Sequence, residues 1–203
     1  MRTTGLAIVI LLGTNPAAWA ADVLHSDGRY TQTASGMTFP RVVDDFRRGR
    51  IVRFLRDGTD ESVDFNRTTP MSEIAATVNV YPAALGWTER SDVRSVDPCK
   101  WQFQQVKHGI TVVHQDAALI EEAATKLIQN DRTYSGYRAK YRLTDTHFFD
   151  GSGIAAREDV FMFCNAGKWT VQYTFDYRAS YDASGAIARF MHDLPLTIRD
   201  SSI

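Results

Sequence analysis

The 203-residue sequence lacks several features that would indicate a function directly. Its formal net charge is only −1, from 23 basic and 24 acidic residues, so no overall positive field attracts nucleic acid or an anionic membrane. The two cysteines do not form a Cys-x-x-Cys pair, which argues against a thiolate zinc site and a redox-active dithiol. Charged residues make up 23% and aromatic residues 11% of the chain, which excludes a largely disordered protein.

Sequence motifs for common catalytic chemistries are also missing. The chain has no Gly-x-Ser-x-Gly elbow, no His-Glu-x-x-His motif, no P-loop and no dinucleotide-binding glycine fingerprint. His108 and His114 are six positions apart on a predicted helix, so they lie on different faces and cannot form an i, i+4 metal pair. We therefore predict no metal and no cofactor. The catalytic alternative is a small hydrolase or isomerase that uses His147 with Asp145.

The first twenty residues have the pattern of an export signal. Arg2 supplies a positive charge, residues 6–12 form a short apolar run, and Ala18 and Ala20 are small residues at the positions that signal peptidase reads. The apolar run is much shorter than the roughly 20 residues of a transmembrane helix. We therefore expect a signal peptide over 1–20, cleavage after Ala20, a periplasmic or secreted protein, and no stable membrane anchor after cleavage.

Export changes what the two cysteines imply. Cys99 and Cys164 are an even pair, and an oxidising compartment permits them to join in a disulfide. Because the bridge would close a long loop, it would stabilise the fold by about 3–4 kcal/mol. The alternative is two buried free thiols, since a lone cysteine often packs as a small hydrophobic residue.

Hydrophobic periodicity predicts a single α+β domain over 37–203, preceded by a loose, polar N-terminal arm over 21–36. Alternating side chains and turn residues indicate an antiparallel sheet of about six to seven strands, with Asp57-Gly58 as a hairpin turn. The predicted strands cover residues 37–40, 51–56, 62–66, 75–81, 137–144, 159–164 and 169–178.

Two helices are predicted to flank this sheet. Asp97 and Pro98 are an N-cap and a first-turn proline, and apolar residues then recur every three or four positions, which predicts a central helix over 97–115. This helix places Cys99 in its first turn on the buried side. The terminal apolar pattern predicts a short helix over 183–193.

The order of these elements resembles the PsbP/Mog1-type α+β fold, an antiparallel sheet flanked by helices. The segments 136–143 (GYRAKYRL), 157–177 (REDVFMFCNAGKWTVQYTFDY) and 79–83 (NVYPA) also resemble exported bacterial proteins of similar size. Segment 119–128 has the composition of a helix, but the resemblance implies a strand there, and a strand is our prediction. Proteins of that fold act mainly as assembly factors and binding subunits, so the resemblance favours a non-catalytic role.

The polar side of the sheet is the predicted binding surface. Arg138, Lys140 and Arg142 alternate with apolar residues, and we expect them to share one side of the sheet with polar residues of neighbouring strands. Those residues are Thr170, Gln172, Thr174, Asn79 and Tyr81.

Arginine side chains hold carboxylates and phosphates through paired hydrogen bonds, so this surface would bind an anionic ligand, a cell-envelope glycan or an acidic protein. The alternative is a solvated strand face whose charges keep the sheet soluble and block edge pairing. The predicted function is that of an exported, non-catalytic protein that binds an unspecified protein partner or cell-envelope ligand.

Overall fold

An antiparallel sheet of nine strands dominates the computed structural model, which describes residues 21–69, 72–83, 97–145, 153–165 and 168–198. The strands are β1 (Asp22–Leu24), β2 (Tyr30–Thr31), β3 (Thr38–Phe39), β4 (Val42–Val43), β5 (Phe46–Arg53), β6 (Glu61–Thr69), β7 (Ser72–Pro82), β8 (Ala118–Gln129), β9 (Arg132–Asp145), β10 (Ile154–Asn165) and β11 (Trp169–Arg178). The helices are α1 (Pro98–Val113) and α2 (Ser184–Asp193).

The sheet order is β1-β5-β6-β7-β11-β10-β9-β8, with β4 also beside β5, while β2 and β3 form a separate pair. This arrangement confirms the α+β class and the two flanking helices. The main sheet has more strands than the six to seven predicted, because short strands near the N-terminus join it. No helix in the described part of the chain combines the length and apolarity needed to cross a bilayer. The predicted signal peptide, residues 1–20, lies outside the described residues.

The local signal for the start of α1 agrees with the structure, whereas that for segment 118–129 does not. The Asp97 carboxylate accepts a hydrogen bond of 2.9 Å from the Cys99 amide, which caps α1 as predicted. Segment 118–129 is a strand despite its helical composition, and it pairs with β9 along its length. Leu127 of this strand is buried in the core, so tertiary packing overrides the local propensity.

The sheet is covered by a helix on each side. We call the α2 side face 1, where Phe190 packs against Phe65 and Phe175. We call the α1 side face 2, where Phe103 belongs to a second, smaller core. The sheet residues of that core are Ala139, Tyr141, Val160 and Met162. Strand β10 contributes to both cores, and a strand buried on both faces has the nearly continuous apolar run seen over 159–164.

The N-terminal segment 21–36 is part of the fold and not the loose arm that we predicted. Its first strand pairs with β5, and Gln32 and Ser35 are fully buried. The Gln32 amide donates hydrogen bonds to the carbonyls of Gly58 (3.1 Å) and Val80 (3.2 Å). Polar contacts of this kind follow no repeat in the sequence, so the pattern of apolar residues did not reveal them.

Two buried charged groups fasten the same segment. Arg48 is 8% exposed, and its guanidinium donates three hydrogen bonds of 2.6 Å to backbone carbonyls. The acceptors are the carbonyls of Ser26, Gly28 and Phe39. Glu61, 1% exposed, accepts hydrogen bonds from Tyr30 (2.5 Å) and Arg53 (2.7 Å). Burial, together with the Glu61 carboxylate, raises the pKa of Tyr30 to about 12.

A disulfide joins Cys99 and Cys164, which confirms the predicted bridge. Their Cα atoms are 5.9 Å apart, and 65 positions separate them in the sequence. Cys99 lies in the first turn of α1 and Cys164 on β10, so the bond fastens the start of the helix to face 2 of the sheet.

Candidate functional site

The structure divides the predicted binding surface between the two faces of the sheet. Residues directly opposite each other on neighbouring strands point to the same side. Arg138 is opposite Phe161, which is opposite Tyr173, so Arg138 lies on face 1. Lys140 and Arg142 follow at alternate positions and lie on the same face, and we call these three residues the basic row. Gln172 is opposite Met162, so the other polar residues lie on face 2. The prediction that Arg138, Lys140 and Arg142 share a face with Thr170, Gln172, Thr174, Asn79 and Tyr81 is therefore wrong.

The reason is that the apolar sides of β9 and β11 face opposite sides of the sheet, which the sequence does not reveal. Tyr137 and Tyr141 of β9 pack under α1 on face 2, whereas Tyr173 and Phe175 of β11 belong to the α2 core on face 1. Alternation within a strand shows that its two sides differ, but it does not show which side matches that of the next strand. The nearly continuous apolar run over 159–164 was the available sign that both sides of β10 are buried.

Four of the five polar residues on face 2 form hydrogen bonds with each other or with α1. The Tyr81 hydroxyl donates to the Gln172 side chain at 2.9 Å, and Gln172 donates to Thr174 at 3.3 Å. Thr170 is fully buried and donates to the side chain of Gln102 on α1 at 2.8 Å. Burial raises the pKa of Tyr81 above its ordinary range, so the hydroxyl keeps its proton at physiological pH. These side chains make internal contacts, which assigns them a structural role.

The basic row on face 1 is neutralised over part of its length. Arg138 forms an ion pair with Glu121, and the Lys140 ammonium lies 3.3 Å from the Asp159 carboxylate. Asp159 is 5% exposed, and burial raises its pKa while the nearby Lys140 charge opposes that rise. Arg142 is exposed and forms no ion pair with any other residue of the described ranges. The uncompensated positive charge is therefore concentrated at the Arg142 end of the row.

Sequence reasoning overlooked Arg157, which joins Arg142. It lies on β10 directly opposite Arg142 on β9, and its Nε donates to the carbonyl of Ala179 at 3.4 Å. Cβ atoms of directly opposite residues are about 4.5–5.5 Å apart. Like charges at that separation destabilise the strand pair, and an anion bound between the two guanidiniums would relieve the repulsion. The sequence shows only that residues 157–159 (Arg-Glu-Asp) are charged. Arg142 and Arg157 become neighbours through the register of β9 and β10, which is not visible in the sequence.

Acidic side chains near this pair are few. Asp159 is buried, and the charges of Lys140 and, more weakly, Arg157 oppose the rise in its pKa. Hydrogen bonds from Ser184 lower the pKa of the exposed Asp182, with a smaller contribution from the Lys140 charge. Tyr177, on β11 opposite Arg157, has its pKa raised above the ordinary range by burial and by Asp159. It is therefore a neutral hydroxyl beside the arginine pair.

A cleft of about 720 Å³ lies beside the disulfide, at the start of α1. Its volume is typical of small-molecule sites. In its wall, the Tyr137 hydroxyl donates to the Asp97 carboxylate at 2.5 Å, which raises the pKa of Tyr137. Ala83 and Asp97 line the cleft and border residues 84–96, which lie outside the described ranges. We therefore assign no ligand to it.

The residues of the catalytic alternative are not brought together by any described contact. Asp145 is the last residue of β9, and His147 lies outside the described residues. Their pairing stays a prediction. Within the described ranges, no group of three or more His, Cys, Asp and Glu side chains is arranged to hold a metal ion.

Comparisons with known proteins place few constraints on function. No protein-family model matches the chain, and no curated protein matches it. The solution structure of cyanobacterial PsbP (CyanoP) from Synechocystis sp. PCC 6803 is similar over 89% of this chain and 93% of that chain, with 14% sequence identity and a TM-score of 0.34. At that TM-score the match carries no inference about fold or activity.

Proposed function

We propose that this chain is an exported, non-catalytic binding protein that takes an anionic group at the Arg142–Arg157 pair on face 1. The observation that carries the proposal is the register of β9 and β10, which sets the two arginines directly opposite each other. A guanidinium group holds a carboxylate or phosphate through paired N–H donors, and two of them on facing strand positions offer an anion two such partners.

The surroundings of the pair favour a ligand held by charge and hydrogen bonds. Lys140 precedes Arg142 by two residues and so lies on the same face, where Asp159 already balances its charge and leaves Arg142 as the exposed cation. Both arginines are on regular strands, so their backbones are already in place when the ligand arrives. We infer that the ligand is a carboxylate or phosphate on a cell-envelope molecule or an acidic protein.

Two observations support export. The Cys99–Cys164 disulfide persists only in an oxidising compartment for most organisms. The pattern of residues 1–20 fits a cleavable signal. Detection of the N-terminal sequence starting at Ala21 in the periplasmic or secreted fraction would establish export. Retention of residues 1–20 in a cytoplasmic, reduced protein would contradict it.

Substitution of the arginines tests the binding site. Arg142→Gln combined with Arg157→Gln should weaken binding of inorganic phosphate or citrate at least about tenfold, measured by calorimetry at low salt. Arg138→Gln is the matched control, because Arg138 lies on the same strand face and is already paired with Glu121. The control should bind these anions as the unmodified protein does.

The same double substitution separates a binding role from a structural one. It removes like-charge repulsion, so the free energy of unfolding should stay the same or rise by a few tenths of a kcal/mol, within about 1 kcal/mol. A clear loss of stability, or unchanged affinity for both anions, would contradict the proposal. Failure of the unmodified protein to bind either anion would contradict it as well.

A further inference from the structure

The outer strand β8 carries an inference that is independent of the arginine pair. It lies at one end of the sheet order and pairs with β9 on one side, and among the described residues no strand pairs with its other side. The strand is 12 residues long and exposes Leu119 (47%), Ile120 (49%) and Ile128 (65%). Soluble proteins usually shorten or cover such an edge, because its free backbone N–H and C=O groups pair readily with another strand.

The opposite edge of the sheet is built in the usual protected way. β1 has three residues and β4 has two, and both pair with β5. Neither offers a long row of backbone groups. The exposed length of β8 is therefore a specific feature of one end of this sheet.

We propose that β8 pairs with the β8 strand of a second copy of this chain, antiparallel, about a two-fold axis at Ala124. A two-fold axis perpendicular to the sheet keeps face 1 of both copies on the same side. Opposite residues must then point to the same face, which requires one residue of β8 to lie directly opposite its own copy on the axis. With Ala124 opposite itself, Glu122 lies opposite Lys126 of the second copy, and by symmetry the same contact forms twice. The regular ladder of this pairing runs over residues 121–127, because the register of β8 against β9 shifts between Leu119 and Glu121.

Charge selects this register from its neighbours. A register centred on Glu122 sets two carboxylates opposite each other, and one centred on Lys126 sets two ammonium groups opposite each other. A register centred on Ala123 leaves Glu122 opposite Ala124 and Lys126 opposite Ile120, so neither charge is matched. Among these registers, only the axis at Ala124 sets Glu122 opposite Lys126.

The two charged side chains are suitably placed for this contact. Glu122 is opposite Ala139 and Lys126 is opposite Ser135 on β9, so both point to face 2. The Lys126 side chain is exposed and has no ion pair within the described ranges. Glu122 accepts hydrogen bonds from Lys107 (2.5 Å) and Gln104 (3.1 Å), and the Lys107 contact lowers its pKa.

Glu122 can serve both contacts. Its lowered pKa keeps it ionised at neutral pH, and a carboxylate has about four acceptor positions for hydrogen bonds. The second ammonium therefore adds to the Lys107 contact without replacing it. The main-chain hydrogen bonds of the paired strands supply affinity, and the two charge pairs set the register.

A charge-exchange experiment tests the pairing. The full 203-residue sequence is expressed, and sedimentation velocity and native mass spectrometry measure the mass of the purified protein. The unmodified protein should be dimeric at about 100 µM, and Lys126→Glu or Glu122→Lys should each raise the dimer dissociation constant at least about tenfold. A 1:1 mixture of the two variants should form a heterodimer, because each opposed pair is then again one carboxylate and one ammonium.

Two further sets of variants control for a general effect of charge and test the position of the axis. Arg29→Glu makes the same change in charge at an exposed residue away from β8 and should leave the dimer intact. Ala124→Cys should cross-link two copies under oxidation, because the two cysteines lie opposite each other on the axis. Ala118→Cys should not, because position 118 of one copy is far from position 118 of the other. A monomeric unmodified protein, undiminished association of Lys126→Glu, or no heterodimer in the mixture would overturn the proposal.

Discussion

The two ends of the sheet are stabilised by different means. At the N-terminal end, short strands lie over buried polar groups, among them the Arg48 guanidinium and the Glu61 carboxylate. At the other end, α1 is fastened to β10 by the disulfide, and the long strand β8 lies exposed beyond it. One end therefore encloses its charges and ends in short strands, while the other depends on a covalent link and presents a long edge to solvent.

This difference suggests separate roles for the two ends, with the N-terminal end contributing to stability and the β8 end to association. Buried hydrogen-bonded charges are costly to disturb, because removal of one partner leaves the others without hydrogen bonds. The exposed side chains of an edge strand contribute little to the core, and its free backbone groups can pair with another strand. We expect substitutions at the N-terminal end to change stability and substitutions at exposed positions of β8 to change association.

The largest effect on stability should come from removal of the covalent link. Cys99→Ser combined with Cys164→Ser should lower the free energy of unfolding by about 4 kcal/mol, because the bond closes a 65-residue separation that restricts the unfolded chain. Chemical denaturation of the variant and of the oxidised parent measures the difference. A loss below about 1 kcal/mol would mean that packing alone holds α1 against face 2.

At the opposite end, Arg48→Met should cost about 3 kcal/mol. The substitution keeps much of the apolar stem and leaves three backbone carbonyl groups without their donor, of which that of Phe39 is buried. Arg47→Met is the matched control, since Arg47 is the exposed neighbour on the same strand and should change stability by less than about 0.5 kcal/mol. Equal effects of the two substitutions in urea denaturation would show that the N-terminal end is not held by its buried guanidinium.

The smallest of these effects on stability concerns Asp60, in the turn between β5 and β6. Burial, with the neighbouring Glu61 and Asp57 charges, raises the pKa of Asp60 to about 6. The folded state therefore binds this proton more tightly than the unfolded state, and the contribution of Asp60 to stability falls as the pH rises from about 4 to about 6. Asp60→Asn should be more stable than the parent by about 2 kcal/mol at pH 7 and nearly equal to it below pH 4.

Thermal or urea denaturation across that pH range provides the test. The relevant quantity is the difference between variant and parent, because carboxylates far from Asp60 contribute equally to both. A constant difference from pH 4 to pH 7 would show that Asp60 is solvated and that the N-terminal end encloses fewer charges than the structure indicates.

Much of the secondary structure was predictable, since its signals are local. The Asp97-Pro98 cap, the Asp57-Gly58 turn and the alternation in β11 depend on neighbouring residues, and the structure has these elements where they were predicted. The strand at 118–129 was predicted only through the resemblance, because its composition favours a helix. The structured N-terminal segment was not predicted, since single polar contacts such as that of Gln32 with Val80 have no period.

For the candidate site, the sequence by itself determined which residues carry charge and which positions alternate. It identified Arg138, Lys140 and Arg142 as one row and Cys99 with Cys164 as a pair that export would join. Tertiary structure decided that this row faces α2, away from Gln172, and that Arg157 stands opposite Arg142. The physical reason is that alternation is a property of each strand separately, whereas face and partner depend on register, which only the packing of both helices onto the sheet sets.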